Sequence, residues 1–356
     1  MGTSDEPRSG PAGAGGEVHY AGDVVNPLRI GILGAARISD LALIDPAHEL
    51  GVELVAVAAR DRRRGEAYAH QHGVETVYSN YAQVIADPRV EAVYNPLPNS
   101  MHAPWNLAAI AAGKHVLTEK PFASNSVEAR KVHDAASQAG LVVLEGYHYC
   151  YHPQFARLAE IVQTKVVGEL ERLDVTMAMP APEPDDLRWS LPLSGGAMMD
   201  LGCYCVHVVR SVSALLGGEP SLVDATAGER KGLPQIDEWF EAEFALADGT
   251  PAFAHVNMAS EAWAMTIFAT GSGGSATVMD FIHPQDDDRL ILDMDGSERI
   301  EHTGSHTTYT YQLEAFRAAV REGRPFATTT VDSMATMELI DACYRAAGLS
   351  PRSAAS

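Results

Sequence analysis

From Leu28 to Glu145, short β-branched and aliphatic runs alternate with helical patterns, and residues 28–33, 53–59, 76–78, 90–95, 115–118 and 141–145 read as strands. Strands separated by helical spacings predict a parallel, doubly wound sheet made of two linked βαβαβ halves. The first, second and fourth runs are almost continuously apolar, as expected when helices cover both faces of a strand. After about Cys150 the pattern changes. The segment beginning at Trp239 alternates, with Phe240, Ala242, Phe244 and Leu246 on one face and Glu241 and Glu243 on the other, and Asp248-Gly249 follows as a hairpin signal. Similar segments at 169–179, 251–258, 265–270, 276–281 and 290–294 predict a large, mostly antiparallel open sheet. Helices over about 309–321 and 331–347 close the chain, with Met334, Met337, Ile340, Ala342 and Tyr344 forming an apolar stripe in the second.

Composition narrows the class. A chain of 356 residues, 46% hydrophobic, buries enough for two domains. Its formal charge of -21 excludes a nucleic-acid partner, because such a field repels phosphate. The four cysteines (Cys150, Cys203, Cys205 and Cys343) show neither C-x-x-C spacing nor a His/Cys ligand array, so no metal site or disulfide framework is expected and a reducing cytoplasm fits best. Residues 1–27 are rich in Gly, Ala, Pro and Ser and read as a flexible tail, not a signal peptide. No apolar stretch is long enough for a membrane span.

The first strand runs into Gly31-Ile-Leu-Gly34-Ala35-Ala36-Arg37-Ile38-Ser39, a strand-turn-helix join whose backbone N–H groups can cradle a pyrophosphate. Gly34 supplies the tight turn of the dinucleotide fingerprint, while Ala36 and Ser39 replace its second and third glycines. Small residues at such a join also occur without a dinucleotide. The second strand ends Ala59-Arg60-Asp61-Arg-Arg-Arg64, where Arg60 and Arg64 can meet a ribose 2′-phosphate and Asp61 sits one residue beyond the usual acid. NADP is therefore favoured over NAD. Arg62 and Arg63 read as the solvated first turn of a helix. At the carboxyl end of the fifth strand, Glu119-Lys120-Pro121 sets a lysine where ligands bind in an open α/β sheet. It is either an ion pair with Glu119 or a group that acts on a ligand.

Four segments together resemble a known family: Gly31-x-x-Gly34-Ala-Ala-Arg-Ile, Tyr94-Asn-Pro-Leu-Pro98-Asn99-Ser-Met-His102, Gly113-Lys-His-Val-Leu-Thr-Glu119-Lys120-Pro121, and Gly195-Gly-Ala-Met-Met-Asp200-Leu-Gly-Cys-Tyr204. They are similar to the Gfo/Idh/MocA oxidoreductases, over residues 28 to about 348. The Asp-x-Gly-x-Tyr arrangement resembles the branch with glucose-fructose oxidoreductase, dimeric dihydrodiol dehydrogenase and D-xylose dehydrogenase; inositol dehydrogenases carry Asp-x-x-x-His instead. The resemblance implies a Rossmann domain over 28–150 and a substrate-binding and oligomerisation domain of α+β type over 151–349, assembled as a homodimer or homotetramer through its sheet. It also implies that Lys120 and Tyr204 serve the reacting carbinol or carbonyl, with Asp200 beside them. Pro98, Asn99 and His102 would line the nicotinamide side with Glu119 and Lys120, and the Lys120-Pro121 bond would be cis. Glu145-Gly146-Tyr147-His148-Tyr149 departs from the more usual Glu-Ala-Phe-Met-Tyr by placing an imidazole at 148.

Asp200 and Tyr204 are four apart on a helical stretch and share a face, with His207 near the same stripe. Tyr204 is the expected proton donor or acceptor, its phenol pKa of roughly 10 lowered by a neighbouring ammonium. Lys120 would supply that charge and steady the substrate oxygen, although it is also a candidate for the proton-transferring group itself. Tyr147, His148, Arg188, Trp189 and His283 are the groups expected to recognise hydroxyls. The activity expected is hydride transfer between a nicotinamide and a sugar or cyclic polyol. Competing readings are a glucose-fructose type enzyme with tightly held NADP and a non-catalytic NADP-binding regulator.

Overall fold

The computed structural model describes residues 26–354, so nearly all of the tail expected over 1–27 lies outside the described residues. Asn26 and Pro27, which do not, lend their carbonyls to Arg321. The first six strands are β1 (Arg29–Leu33), β2 (Glu53–Ala58), β3 (Thr76–Tyr78), β4 (Ala92–Asn95), β5 (His115–Thr118) and β6 (Val143–Glu145). All pair in parallel, in the order β3-β2-β1-β4-β5-β6. Between them run α1 (Asp45–Leu50), α2 (Arg62–His72), α3 (Tyr81–Ala86), α4 (His102–Ala111) and α5 (Ser126–Ala139). The strand order reverses between β1 and β4, and in such a sheet the crevice beyond the carboxyl ends at that reversal is the ligand site. The turns after β1, β4 and β5 all open there.

The helix α6 (Pro153–Gln163) leads to β7 (Leu170–Ala178), and α7 (Cys203–Leu215) to β8 (Ser221–Glu229). Then come β9 (Asp237–Ala245), β10 (Pro251–Asn257), β11 (Ala264–Gly271), β12 (Gly274–Val278), β13 (Arg289–Met294) and β14 (Ser297–His302). They form an eight-stranded sheet, antiparallel except where β10 runs beside β7. The alternation seen near Trp239 sets the register. Phe240, Ala242 and Phe244 lie opposite Val256, Ala254 and Ala252, all buried, while Glu241 and Glu243 alternate to the other face. Two edge strands were not expected from the pattern. β8 carries polar residues on both faces of an edge, and β14, Ser-Glu-Arg-Ile-Glu-His, has a single apolar residue, so neither shows the alternation that a half-buried strand requires.

Two helices finish the fold, α8 (Thr308–Glu322) and α9 (Thr330–Ala346). Tyr309, Leu313 and Phe316 of α8 join Ile30, Ile32, Tyr94, Leu117 and Leu144 in one core, so α8 covers a face of the parallel sheet. Helix α9 packs against α5 and α7, burying Met337, Ile340 and Tyr344, whereas Met334 and Ala342 are only half-buried. The C-terminal helices therefore clamp the first sheet to the second and fix the crevice between them.

Candidate active site

The turn after β1 is built for close approach. Gly34 has φ +110°, and a Cβ there would lie 3.1 Å from Leu97 of the β4 loop. Arg37 and Ile38 are exposed at the head of the following helix, and Ala35 and Ala36 are packed behind them. Arg64 reaches back to donate to the Ala35 carbonyl at 2.5 Å, tying the second crossover to this turn. Asp61 caps α2 by accepting from the backbone of Arg63 and Arg64, which explains its displacement from the usual ribose acid. Arg62 pairs with Glu66 one turn on, as a solvated helix face should. Arg60 is exposed and makes no ion pair among the described residues.

The β4 loop is pinned by its polar side chains. Pro98 precedes a single 3-10 turn, Asn99–Met101, and Asn99 donates to the Ser194 carbonyl at 3.0 Å, linking the loop to the second half of the chain. His102 was expected to line the cofactor. Instead it is buried, with its two nitrogens at 2.7 and 2.6 Å from the Pro121 and Leu97 carbonyls, and burial lowers its pKa to about 4. It is a brace between two loops. The Lys120-Pro121 bond is cis.

Lys120 does not pair with Glu119. The Glu119 carboxylate accepts from the Tyr94 hydroxyl at 2.9 Å, and burial raises its pKa. Lys120 Nζ instead donates to the Asp200 carbonyl at 2.8 Å and to Asp200 Oδ1 at 3.4 Å. Two of its three N–H groups are thus held and one is left over. Burial disfavours the ammonium, but Asp200, Cys203 and Glu119 carry its pKa above the usual lysine value. Asp200 is shared: Arg188 Nε donates to its second oxygen at 2.8 Å, and Lys120 and Arg188 together overcome burial to depress its pKa. The cluster stays partly open, with 16%, 17% and 35% of the Lys120, Asp200 and Arg188 side chains exposed.

Asp200 lies in a π-helical turn, Met198–Gly202, from which α7 continues. Turns of this width recur at functional sites. Entry to it is set by Gly195 and Gly196. A Cβ on Gly195 would lie 2.3 Å from the Arg188 carbonyl, and one on Gly196, at φ +119°, would lie 2.1 Å from Asp237. Beneath the turn Asp237 accepts from the Met198 N–H at 2.6 Å and from Tyr344 at 3.1 Å and pairs with the fully buried Arg352, which also donates to the Gly195 carbonyl at 2.8 Å. Neither Arg352 nor Asp237 stands out in the sequence, because their role depends on a contact across the whole second half of the chain.

Tyr204 is 4% exposed, with Lys120 Nζ 5.0 Å above its ring. The expectation that Lys120 lowers the phenol pKa is not met. Burial pushes it well above 10, Tyr309 and Glu119 add to the shift, and the lysine charge is spent on Asp200. The hydroxyl lies 2.9 Å from His148 Nε2. Three residues expected to meet substrate are placed otherwise. His148 is fully buried behind Tyr204, with Nδ1 2.8 Å from the Thr308 hydroxyl. Tyr147 is fully buried too, stacked 4.1 Å from the His207 ring and edge-on to Tyr204. The Trp189 indole lies under Arg230 and donates to the Pro182 carbonyl. His207, on the Asp200 stripe, is tied to Tyr149 at 2.6 Å and Asp332 at 2.9 Å, away from the cleft. His283 lines a surface depression with Trp263 and Met265. Thr308, an unremarkable helix-start threonine, was missed, and Glu145 was read only as a strand end and the start of its motif, although its carboxyl is fully buried and pushed up to about 8.

A parallel sheet with its ligand crevice at the strand-order reversal, carrying Lys120 beyond one of its strands and facing Tyr204 from the open-sheet half, has the form of a two-part dinucleotide-fold oxidoreductase. Residues 28–147 match the oxidoreductase family with the NAD-binding Rossmann fold, and residues 155–277 match the GFO/IDH/MocA C-terminal domain. The chain is 31% identical over 330 residues to D-xylose 1-dehydrogenase (NADP(+)) 2 of Haloferax volcanii, covering 90% of this chain and 97% of that one. It is 31% identical over 341 residues to dTDP-3,4-didehydro-2,6-dideoxy-alpha-D-glucose 3-reductase of Streptomyces violaceoruber, covering 92% and 97%. Among solved structures, a 3-ketoreductase from Actinomadura kijaniata in complex with NADP and TDP-benzene superposes with a TM-score of 0.83 at 26% identity, over 90% of this chain and 98% of that one. This chain belongs to the Gfo/Idh/MocA family of oxidoreductases.

Proposed function

We propose that the protein moves a hydride between NADP and a hydroxyl or carbonyl carbon of a sugar or cyclic polyol, with Lys120 and Tyr204 assisting proton transfer at the reacting oxygen. The observation that carries this reading is Lys120. Held by Asp200 in a partly open cleft, its ammonium keeps one N–H uncommitted beside Tyr204. Such a donor is worth most on an oxygen whose negative charge grows in the transition state. Asp200 orients it, and Arg188, held by Asp200 and Asp186 and 35% exposed, is a cation available to a substrate's other oxygens.

The turn at Gly34 has the backbone shape of a pyrophosphate cradle, and the unpaired Arg60 with Arg64 beside it suits a 2′-phosphate, so these residues fit the dinucleotide. When bound, the nicotinamide supplies or accepts the hydride. The NADP-linked relatives support the same preference. A panel of pentoses, hexoses, deoxy-ketosugars and cyclic polyols with NADP and NAD, read at 340 nm, tests the reading. Turnover with NADP preferred is expected; binding of NADPH with no turnover of any panel member would replace the enzyme with a cofactor-sensing protein.

The outer face of the eight-stranded sheet leaves Trp239, Phe268 and Ile300 exposed, and we assign it to a homodimer or homotetramer interface. Light scattering that gave a monomer at micromolar concentration would refute this assignment.

A further inference from the structure

The hydrogen bonds behind Tyr204 have a direction. The Thr308 hydroxyl owns one hydrogen and lies within reach of two acceptors, the Ile282 carbonyl at 3.2 Å and His148 Nδ1 at 2.8 Å. No other donor among the described residues reaches the Ile282 carbonyl, which sits in a residue only 4% exposed. A buried carbonyl without a donor is costly, so the hydroxyl hydrogen belongs there. His148 Nδ1 then carries a hydrogen and donates it to Thr308. In a neutral ring that leaves Nε2 bare, and the only hydrogen available between Nε2 and Tyr204, 2.9 Å apart, is the phenolic one.

The ring has no freedom to do otherwise. His148 is fully buried, packed 3.9 Å from the Tyr309 ring and edge-on to Tyr204, and the charged or titratable groups that bear on it are His283, Lys120 and His152. All of these oppose a positive imidazole, and burial opposes it most, which holds its pKa well below the usual histidine value. The Thr308 chain ends on a peptide carbonyl, so a proton taken up by His148 has no exit along it.

We propose that His148 is a positioning residue that draws the phenolic hydrogen of Tyr204 into the protein, so that Tyr204 meets the substrate as a hydrogen-bond acceptor and Lys120 meets it as the donor. The inference rests on the assignment of Lys120 and Tyr204 to the reacting oxygen and adds the sense of each hydrogen bond. It selects for a substrate that offers Tyr204 a hydroxyl hydrogen and Lys120 an oxygen lone pair, as a carbinol or a hydroxyketone can. An imidazole does this where an apolar side chain would leave the buried phenol free to turn toward the cleft.

The tautomer is directly measurable. Long-range ¹H–¹⁵N correlation of the histidine rings in the full-length protein, with the His148 signals assigned by their loss in His148→Gln, should show a neutral ring with its hydrogen on Nδ1 at pH 7. A hydrogen on Nε2, or a cationic ring, would overturn the proposal, and neither result depends on turnover. In kinetics, His148→Gln keeps an acceptor for Tyr204 and should hold kcat/KM within about threefold, with an unchanged pH profile. His148→Phe should lose about 10- to 100-fold. That loss should vanish when Tyr204→Phe is already present, because His148 acts through the phenol. A loss that persists in the Tyr204→Phe background, or a His148→Gln enzyme as impaired as His148→Phe, would contradict it. A panel without any turned-over sugar would remove the enzyme reading and leave the tautomer result standing.

Discussion

Two ion pairs flank the π-helical turn at Met198–Gly202, and they differ in what can reach them. Asp237 and Arg352 are wholly inaccessible, and their side chains bond to Met198, Tyr344, Gly195, Ser350 and each other. Lys120 and Asp200 are partly open, and the lysine retains one N–H with no acceptor among the described residues. The first pair has the features of structure: each charged side chain is sealed in with its partner, and removal of either strands a buried charge. The second has the features of chemistry: the ammonium is paired and held in place at a cleft that a ligand can enter. Arg60 extends the series, an exposed cation without a carboxylate partner among the described residues. Access from the cleft, more than the count of partners, separates the groups that hold the fold from those placed to meet a ligand.

The comparison breaks first at Arg352. Arg352→Ala should destabilise the protein by about 3–5 kcal/mol, because Asp237 is left buried without its cation. Chemical denaturation measures this, and a change below about 1 kcal/mol would mean that the pair is not structural. At the ligand-facing end of the series, Arg60→Ala should weaken NADP binding by about 10- to 100-fold, the loss of one charge-assisted contact, and leave NAD within about threefold. Equal losses in a titration of both cofactors would sink the 2′-phosphate assignment.

An effect of comparable size, spread over pH, concerns Glu145, which is buried like Asp237 but has no cation partner among the described residues. Burial raises its folded pKa from 4.5 to about 8. The native state therefore holds a proton that the unfolded state releases above pH 4.5, so its contribution to stability falls as pH rises through that window, by about 1.4 kcal/mol per pH unit. Glu145→Gln should remove this component of the slope of unfolding free energy between pH 5 and 8. An unchanged slope would show that Glu145 is ionised in the folded protein.

The backbone frame was legible because it depends on local pattern. All six parallel strands fall where apolar runs end in turn residues, and the inner face of β9 follows from strict alternation. Strands β8 and β14 lacked that signal because edges bury little. Within the site, the residues whose backbone position matters, such as Gly34, Gly196 and Lys120, stand where motif spacing puts them. What spacing could not supply was the direction of a side chain among competing partners. Spacing alone offers Lys120 its neighbour Glu119; its actual partner Asp200, 80 residues away, is expected beside it only through the family resemblance. His102, Tyr147, His148 and Trp189 were polar or aromatic residues near motifs, yet each is turned inward by a contact with a distant segment. Asp61, one residue beyond the usual ribose acid, caps α2, a role the spacing did not reveal.

The central claim is that the uncommitted N–H of Lys120 serves the reacting oxygen. Single-turnover absorbance at 340 nm, with saturating cofactor and the best substrate of the panel, compares the wild-type protein with Lys120→Ala most directly. Hydride transfer in Lys120→Ala is expected to slow by about a thousandfold, with NADPH affinity held within about tenfold, because the contact matters mainly in the transition state. Hydride transfer at the wild-type rate in Lys120→Ala would contradict it.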